Sequence, residues 1–172
     1  PGSRVFIKPN FTWPEPRPGV TTSIQFIENM LSILLTRTNN IVVGESNGGT
    51  FHAEEAAHRL GLMDVLKDKN LDFVNLSNLP AKMIEEVIDG KKIKIEVSKY
   101  LLDEVDVFIT MPVLKTHVVT GVTLGMKNQW GCIPTEKRLL FHLILDYGIV
   151  ALNRVYKPRI AILDGTYAMD RR

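Results

Sequence analysis

The feature that most constrains the fold is a set of short, uninterrupted apolar runs spaced along the chain. The clearest are residues 5–7, 41–43, 107–109 and 160–163. A run without polar alternation is typical of a strand whose two faces are both buried, as in a parallel sheet covered by helices. We therefore expect these runs to be strands of a layered α/β fold, with a further strand at residues 71–76.

The segments between these runs are typical of helices. Apolar residues recur at helical spacing over residues 24–35, behind Thr22 and Gln25, which are spaced as in a capping box. An alanine-rich helix is predicted at residues 53–60, and a longer, mostly helical segment at residues 139–154. Strand and helix therefore alternate, as expected of parallel strands joined by helical crossovers.

Two segments interrupt this alternation. Asp89 and Gly90 join two alternating stretches within residues 82–97, which is typical of a β-hairpin. Residues 110–130 are predicted to form a long loop with short helices. The predicted fold is α/β, with a mainly parallel sheet, helices on both faces and an inserted β-hairpin. At 172 residues the chain is expected to form a single domain over residues 1–172.

Composition and charge disfavour some classes of partner. The 21 basic and 19 acidic residues are spread along the chain and give a net charge of +2. Two short basic clusters, at residues 91–94 and at Lys137 and Arg138, are interpreted as solvated surface. We expect no nucleic-acid partner, because neither a basic stripe nor an aromatic platform is visible. We expect no membrane partner, because no apolar run reaches the roughly 20 residues that a bilayer requires.

The chain contains a single cysteine, Cys132. It can form no intrachain disulfide, and the chain alone cannot hold an iron–sulfur cluster on several cysteines. A lone cysteine suits a reducing compartment, and the first residues do not resemble a signal peptide. We therefore expect a cytoplasmic protein.

Polar and charged residues gather just after the predicted strands. Ligands of open α/β sheets usually lie beyond the carboxyl ends of the strands, so these residues are expected to line one cleft. The alternative is that they are ordinary polar loops. The candidates are Lys8 and Asn10 after the first strand, Glu45, Ser46 and His52 after the second, and Lys115, Thr116 and His117 after the strand at residues 107–109.

Residues 115–128 are the richest of these segments in candidate ligand-binding groups. Gly121 allows a tight turn, and small or hydroxyl-bearing residues such as Thr123 leave backbone N–H groups able to meet an anion. Lys115 and Lys127 could neutralise that anion, with Asn128 beside them. The segment is neither a Walker A loop nor a GxGxxG fingerprint. It therefore predicts an anionic ligand and does not support a standard nucleotide site.

The four histidines divide into one structural candidate and three chemical ones. His58 falls within a predicted helix and is interpreted as structural. His52, His117 and His142 are predicted at loops or helix starts. Histidine carries protons near neutral pH and commonly binds metals, although a lone loop histidine is more often a surface residue.

The chain is similar to domain-of-unknown-function family 362 over nearly its whole length. The activity of that family is unsettled, so the resemblance implies membership and a fold but no reaction. The motifs that carry it are Ile7-Lys8-Pro9-Asn10, Pro18-Gly19-Val20-Thr21-Thr22, Val43-Gly44-Glu45-Ser46, Lys115-Thr116-His117, Gly121-Val122-Thr123-Leu124-Gly125-Met126-Lys127-Asn128, Gly131-Cys132-Ile133-Pro134, Asp164-Gly165 and Ala168-Met169.

Two departures from the family pattern bear on function. Family members are often joined to a ferredoxin-like iron–sulfur domain. This chain has one cysteine and cannot hold such a cluster alone, so the resemblance implies an iron–sulfur protein as its partner. In the family, a glycine-rich loop tends to follow the segment that here is Ala168-Met169-Asp170. We expect the chain to be either a shortened member of the family or a fragment.

The chain also resembles the N-terminal domain of nickel-pincer lactate racemases in the order of a few residues. Carried over by position, His52 and His117 would exchange a substrate proton, Lys127 would hold a cofactor and His142 would bind a transition metal. The match is incomplete because the glycine pattern differs and Phe51 separates Thr50 from His52.

Three functions are compatible with the sequence. The first is an enzyme-like domain that binds a small anionic metabolite in the cleft, with His117, His52 and Lys127 as acid/base residues. The second is an accessory binding or electron-transfer module that docks an iron–sulfur partner through an apolar patch around Trp130 and Phe141. The third is a structural fragment without activity.

Overall fold

A computed structural model describes residues 2–170, with only the backbone described at residues 139–142. In chain order, the strands and α-helices are β1 (Val5–Lys8), α1 (Ile24–Leu35), β2 (Ile41–Glu45), α2 (Ala53–Arg59), α3 (Leu62–Asp68), β3 (Asp72–Asn75), β4 (Ala81–Ile88), β5 (Lys91–Ser98), α4 (Lys99–Asp103), β6 (Val107–Thr110), β7 (Val113–His117), β8 (Gly121–Thr123), α5 (Gly125–Asn128), α6 (Leu145–Tyr156), β9 (Ile160–Ala161) and β10 (Asp164–Met169). Three 3₁₀ segments, Leu76–Asn78, Gln129–Cys132 and Glu136–Ile144, complete the described elements.

The central sheet has five parallel strands in the order β3-β2-β1-β6-β9. Strand β1 lies in the middle, with Phe6 opposite Val42 on one side and Phe108 on the other. The parallel strands all end at the same edge of the sheet. Residues that follow β1, β2 and β6 in sequence are therefore neighbours in space, as the sequence predicted.

Both faces of the central sheet are buried. Val5 and Ile7 point into a core shared with α1, α2 and α3. Phe6, on the opposite face, joins a second core that includes α6 and the inner side of the β4–β5 hairpin. This arrangement explains the uninterrupted apolar runs and confirms the predicted α/β fold with helices on both faces and an inserted hairpin.

The hairpin forms where the sequence predicted it. Strands β4 and β5 pair from Ala81 with Ser98 to Ile88 with Lys91. Asp89 and Gly90 take φ angles of +50° and +77°, the left-handed pair that a tight hairpin turn requires.

Three local predictions were wrong. Residues 113–123 form the strands β7 and β8, where a loop was expected, and β7 also pairs with β10 in a second, three-stranded sheet. Helix α3 was missed altogether. Helix α1 is capped by Ser23, whose hydroxyl accepts the Phe26 N–H, because the Thr22 hydroxyl instead binds the Asn10 N–H and the Met111 carbonyl. The described helices include none with the length and hydrophobicity that a membrane crossing would require.

Candidate functional site

A cavity of about 360 Å³ opens at the carboxyl-terminal edge of the central sheet. Its size is in the range of small-molecule sites. Its lining comes from the ends of β1 and β2, from β7, β8 and α5, and from the turns around them. The lining residues are Lys8, Asn10, Phe11, Thr12, Glu45, Gly48, Gly49, Thr50, Phe51, Lys115, His117, Thr123, Lys127, Asn128, Trp130, Gly131 and Arg138.

A buried ion pair forms the floor of the cavity. Lys8 Nζ lies 2.7 Å from Glu45 Oε2, and the two side chains are only 2% and 4% exposed. Lys8 Nζ also donates to the Pro9 carbonyl at 2.9 Å and to Asn128 Oδ1 at 3.3 Å. Glu45 accepts the backbone N–H groups of Phe11 and Ser46. The charges of the floor therefore compensate each other, and their hydrogen-bonding positions are filled.

Position 131 lies so close to this ion pair that it requires a glycine. A Cβ at position 131 would lie 2.6 Å from both Glu45 Oε1 and Lys8 Nζ. No side chain fits there without displacing one of the two charged groups. The glycine thus lets the Gln129–Cys132 segment close over the ion pair.

Asn128 ties helix α5 to the ends of the strands. Its Nδ2 donates to Thr110 Oγ1 at 2.9 Å and to the Lys8 carbonyl at 3.2 Å. Gln129 continues the link by donating from Nε2 to Asn153 Oδ1 on α6, at 3.0 Å. These contacts hold α5, and with it Lys127, against the edge of the sheet.

Lys115 is a fixed charge on the wall of the cavity. Its side chain is buried, and Nζ donates to Thr12 Oγ1 at 2.6 Å and to the Val20 carbonyl at 2.8 Å. Burial lowers the pKa of Lys115 to about 8, and the nearby Lys127 and Lys8 charges act in the same direction, against the opposing effect of Glu45.

Lys127 lies on the same wall, but its ammonium group is not anchored as that of Lys115 is. Within the described part of the chain, its ammonium group has no hydrogen bond and no ion pair. Burial lowers the pKa of Lys127 to about 8, helped by the Lys8 and Arg138 charges and opposed by Glu45. This amine therefore exchanges its proton near neutral pH.

Arg138 was assigned to solvated surface from the sequence, and that assignment was wrong. The residue is partly buried and lines the cavity, because the chain after Ile133 folds back over the end of β2. Its Nη1 donates to the Ser46 hydroxyl and, at 3.4 Å, to the Ile133 carbonyl. Burial also lowers the pKa of Arg138. Lys137, its neighbour in sequence, is exposed as expected.

His117 lies at the rim, where β7 turns into β8. Its Nδ1 accepts the backbone N–H groups of Val119 and Thr120, both at 3.2 Å. A neutral imidazole in this arrangement carries its proton on Nε2. Protonation of Nδ1 would cost both backbone hydrogen bonds. The geometry therefore favours a neutral ring that donates from Nε2.

Two buried side-chain groups lining the cavity have no hydrogen-bond partner in the described part of the chain. They are Asn10 Nδ2 and Thr123 Oγ1, on side chains that are 6% and 4% exposed. An unsatisfied buried polar group costs free energy, so such groups in a cavity indicate a water molecule or ligand that completes them.

The predicted site residues are only partly brought together. Lys8, Asn10, Glu45, Lys115, His117, Thr123, Lys127 and Asn128 all line the cavity. Ser46 lies behind the lining, where its hydroxyl donates to the Gly131 carbonyl. Thr116 faces β10, with its hydroxyl 3.4 Å from the Met169 carbonyl, and Gly121 forms the β7–β8 turn at a φ of +74°.

Of the remaining histidine candidates, neither is placed in the cavity by the described residues. His52 is exposed, precedes α2 and is absent from the lining. The side chain of His142 lies outside the described residues. Gly131, which belongs to the Gly131-Cys132-Ile133-Pro134 motif, also lines the cavity. Phe11, Thr12, Phe51 and Arg138 line it as well, and no sequence pattern pointed to them.

The donor set of the cavity suits an anion and not a metal cation. In the described part of the lining, the Glu45 carboxylate lies among four cationic side chains, those of Lys8, Lys115, Lys127 and Arg138. Among the described residues, no three His, Cys, Asp or Glu side chains are grouped closely enough to hold a metal ion. Burial raises the pKa of the Cys132 thiol to about 12, so that this sulfur stays protonated.

Fold and site together define a parallel α/β domain with a cationic cavity at the ends of its strands. The chain belongs to the family described as a domain of unknown function (DUF362), whose family model matches residues 5–172. This finding confirms the family membership predicted from the sequence motifs.

Three relatives illustrate the range of similarity. A thylakoid-associated protein of Synechocystis sp. is 25% identical over 99% of this chain and 54% of its own length. The crystal structure of a Thermotoga maritima protein matches 93% of this chain and 46% of that one, with a TM-score of 0.57 and 15% identity. The lactate racemase apoprotein of Thermoanaerobacterium thermosaccharolyticum matches 96% of this chain and 44% of that one, with a TM-score of 0.58 and 13% identity.

The family model shows the family, and the two structural matches show a shared fold. The likeness to the lactate racemase apoprotein agrees with the resemblance noted in the sequence, and at 13% identity it shows a shared fold alone. This chain spans about half the length of the relatives it matches.

Proposed function

We propose that this domain binds a small anionic metabolite in the cavity and that Lys127 moves a proton on the bound molecule. The observation that carries the proposal is the excess of positive charge on the cavity wall. Lys115, Lys127 and Arg138 face one volume, while Glu45, the one carboxylate among the described lining residues, is already paired with Lys8.

The lowered pKa values of the wall support an anionic ligand. Burial lowers the pKa of Lys115 and of Lys127 to about 8, and repulsion from nearby charges adds to the effect. The repelling charges are Lys127 and Lys8 at Lys115, and Lys8 and Arg138 at Lys127. A bound anion would relieve this repulsion and favour the charged form of both amines. The binding energy would thus come from positive charges of the wall that have no ion-pair partner among the described residues.

The two wall lysines have different roles in this proposal. Lys115 is anchored by Thr12 and Val20, so it holds the anion in place. Lys127 has a pKa of about 8 and no hydrogen bond to the described residues, which suits proton transfer near neutral pH. His117 donates a hydrogen bond from Nε2, and Asn10 and Thr123 supply further polar contacts.

A ligand screen tests the proposal. Phosphate, propionate, pyruvate and malonate are compared by the melting temperature that each produces with the wild-type domain, since a ligand that binds only the folded state raises that temperature. Replacing Lys115 with alanine should abolish the effect, whereas the exposed Lys137→Ala variant should keep it. If none of the anions stabilises the wild type, or if both variants respond equally, the proposed site is wrong.

An accessory role beside an iron–sulfur partner needs a different surface from the one predicted. Trp130 is only 4% exposed and packs in the core with α6, so it cannot centre a docking patch. The Phe141 side chain lies outside the described residues. We retain the partner as a prediction, tested by copurification of the domain with an iron–sulfur protein.

We also propose a cytoplasmic location. This rests on the lone Cys132 and the resulting suitability for a reducing compartment. Fractionation of cells that produce the protein tests it.

A further inference from the structure

We propose that Lys127 is a nucleophile that forms an imine with an anionic carbonyl compound bound in the cavity. The ligand class is an aldehyde or ketone that carries a carboxylate or phosphate. This inference rests on the proposed anion site, and it adds covalent chemistry and a substrate class to that site.

Among the three lysines in the described lining of the cavity, hydrogen bonding identifies Lys127 as the nucleophile. Lys8 Nζ is held by Glu45, Pro9 and Asn128. Lys115 Nζ is held by Thr12 and Val20. Both amines would have to give up these acceptors before their lone pairs could attack a ligand. Lys127 has no hydrogen bond or ion pair within the described chain, so its amine is the one that can reach a ligand without that cost.

Imine formation also requires a deprotonated amine, and the environment of Lys127 provides one beside the anion site. Partial burial and the nearby Lys8 and Arg138 charges hold its pKa near 8, so a substantial fraction of the amine is neutral at physiological pH. The same neighbouring charges attract the anionic group of the ligand. A neutral carbonyl compound would lack this attraction.

The reaction balances without an oxidant or a second substrate. The Lys127 lone pair attacks the carbonyl carbon, a C–N bond forms, and the π electrons move to oxygen. A proton passes from nitrogen to that oxygen to give a carbinolamine. The hydroxyl then takes up a proton from solvent and leaves as water, while the nitrogen lone pair forms the C=N bond. The product is a protonated imine on Lys127, with one water released.

Reductive trapping tests the imine. The full domain is incubated with pyruvate or glyceraldehyde 3-phosphate, reduced with borohydride, and examined by intact mass and peptide mapping. We expect one adduct, on the peptide that contains Lys127. Acetone, which has the carbonyl without the charge, should give no adduct above background, and propionate, which has the charge without the carbonyl, should compete without being trapped.

Matched variants separate chemistry from binding. Lys127→Arg keeps the positive charge but removes the nucleophile, so it should still be stabilised by propionate while trapping falls to the background of exposed lysines. The control Lys137→Arg changes an exposed lysine and should trap like the wild type. Initial trapping rates at saturating pyruvate should also rise as pH increases through about 8.

The outcomes distinguish the two proposals. If anions stabilise the wild type but neither carbonyl compound is trapped, or if Lys127→Arg is trapped as well as the wild type, the imine is wrong and the anion site stands. Adducts spread over several lysines would also overturn it. If no anion stabilises the wild type, the proposed function itself fails.

Discussion

The floor and the wall of the cavity differ in how their charges are compensated. On the floor, Lys8 and Glu45 neutralise each other at 2.7 Å and fill their hydrogen-bonding positions. On the wall, Lys115, Lys127 and Arg138 face the same volume, and no carboxylate of the described residues forms an ion pair with them. The charges of the floor therefore compensate each other, and the charges of the wall have no ion-pair partner among the described residues.

The largest loss of stability is expected when the Lys8–Glu45 ion pair of the floor is broken. Glu45→Ala leaves the buried Lys8 ammonium without its carboxylate, which should lower the free energy of unfolding by about 3–5 kcal/mol. Urea denaturation measures it. The control is Glu104→Ala, which removes an exposed partner of Arg4 and should cost less than about 1 kcal/mol. Equal losses in the two variants would show that the floor is not a special source of stability.

A smaller loss of stability is expected when a methyl group is inserted between the Gln129–Cys132 segment and the ion pair. Gly131→Ala places a Cβ against Lys8 Nζ and Glu45 Oε1 and should cost about 1–3 kcal/mol by overpacking. Gly165→Ala is the matched control, because a Cβ there meets no atom within 4 Å. Thermal denaturation compares the two. A Gly131→Ala variant as stable as the control would contradict the tight packing of the floor.

The charge of the wall should depend on pH. Lys115 and Lys127 have pKa values of about 8, so each loses its charge as pH rises through that value. Affinity for malonate, whose own charge is nearly constant in this range, should fall at least about tenfold between pH 7 and pH 9, as measured by calorimetric titration. An affinity independent of pH over this range would exclude the two lysines as the binding charges.

The same two lysines have the opposite effect on the stability of the ligand-free domain. Their pKa values are lower in the folded chain than the usual 10.5, so the unfolded chain binds more protons between pH 8 and 10.5. Their contribution to stability therefore rises with pH across that window. Denaturation of the wild type and of a Lys115→Met/Lys127→Met variant at pH 7.5 and 9.5 should show this rise only in the wild type.

The smallest effect is expected at the rim. His117→Ala removes a single hydrogen-bond donor and should weaken anion binding by about three- to tenfold, the worth of one neutral hydrogen bond. Calorimetric titration at pH 7 checks this value, with His58→Ala as a control on an exposed helical histidine. A loss as large as that of Lys115→Ala would mean that His117 binds as a charged imidazolium, against the geometry of its Nδ1.

Local patterns allowed much of the fold to be predicted. The apolar runs at residues 5–7, 41–43 and 107–109 became adjacent parallel strands, and Asp89 and Gly90 became the hairpin turn. The β7–β8 pair was missed because Lys115, Thr116 and His117 lack the apolar alternation of a strand. They form one through pairing with residues 121–123 and with β10.

The candidate site was predictable in its location and less so in its detail. Parallel strands bring their carboxyl ends together whatever the loops contain, so Lys8, Glu45 and Lys115 were expected to meet. The role of Arg138 had no local signal, since its contact with Ser46 spans 92 residues of sequence. The exposure of His52 could not be predicted from the sequence either, because no local pattern determines the conformation of a loop.

The sequence by itself determined the α/β class, the family and the edge of the sheet where the site lies, because burial periodicity, turn chemistry and motifs are properties of neighbouring residues. Tertiary structure alone decided which charges are paired. Lys8 meets Glu45 across 37 residues and Asn128 across 120, while Lys127 meets no described acceptor. Pairing and pKa depend on distances of a few ångströms between groups far apart in the chain, and only the folded packing sets those distances.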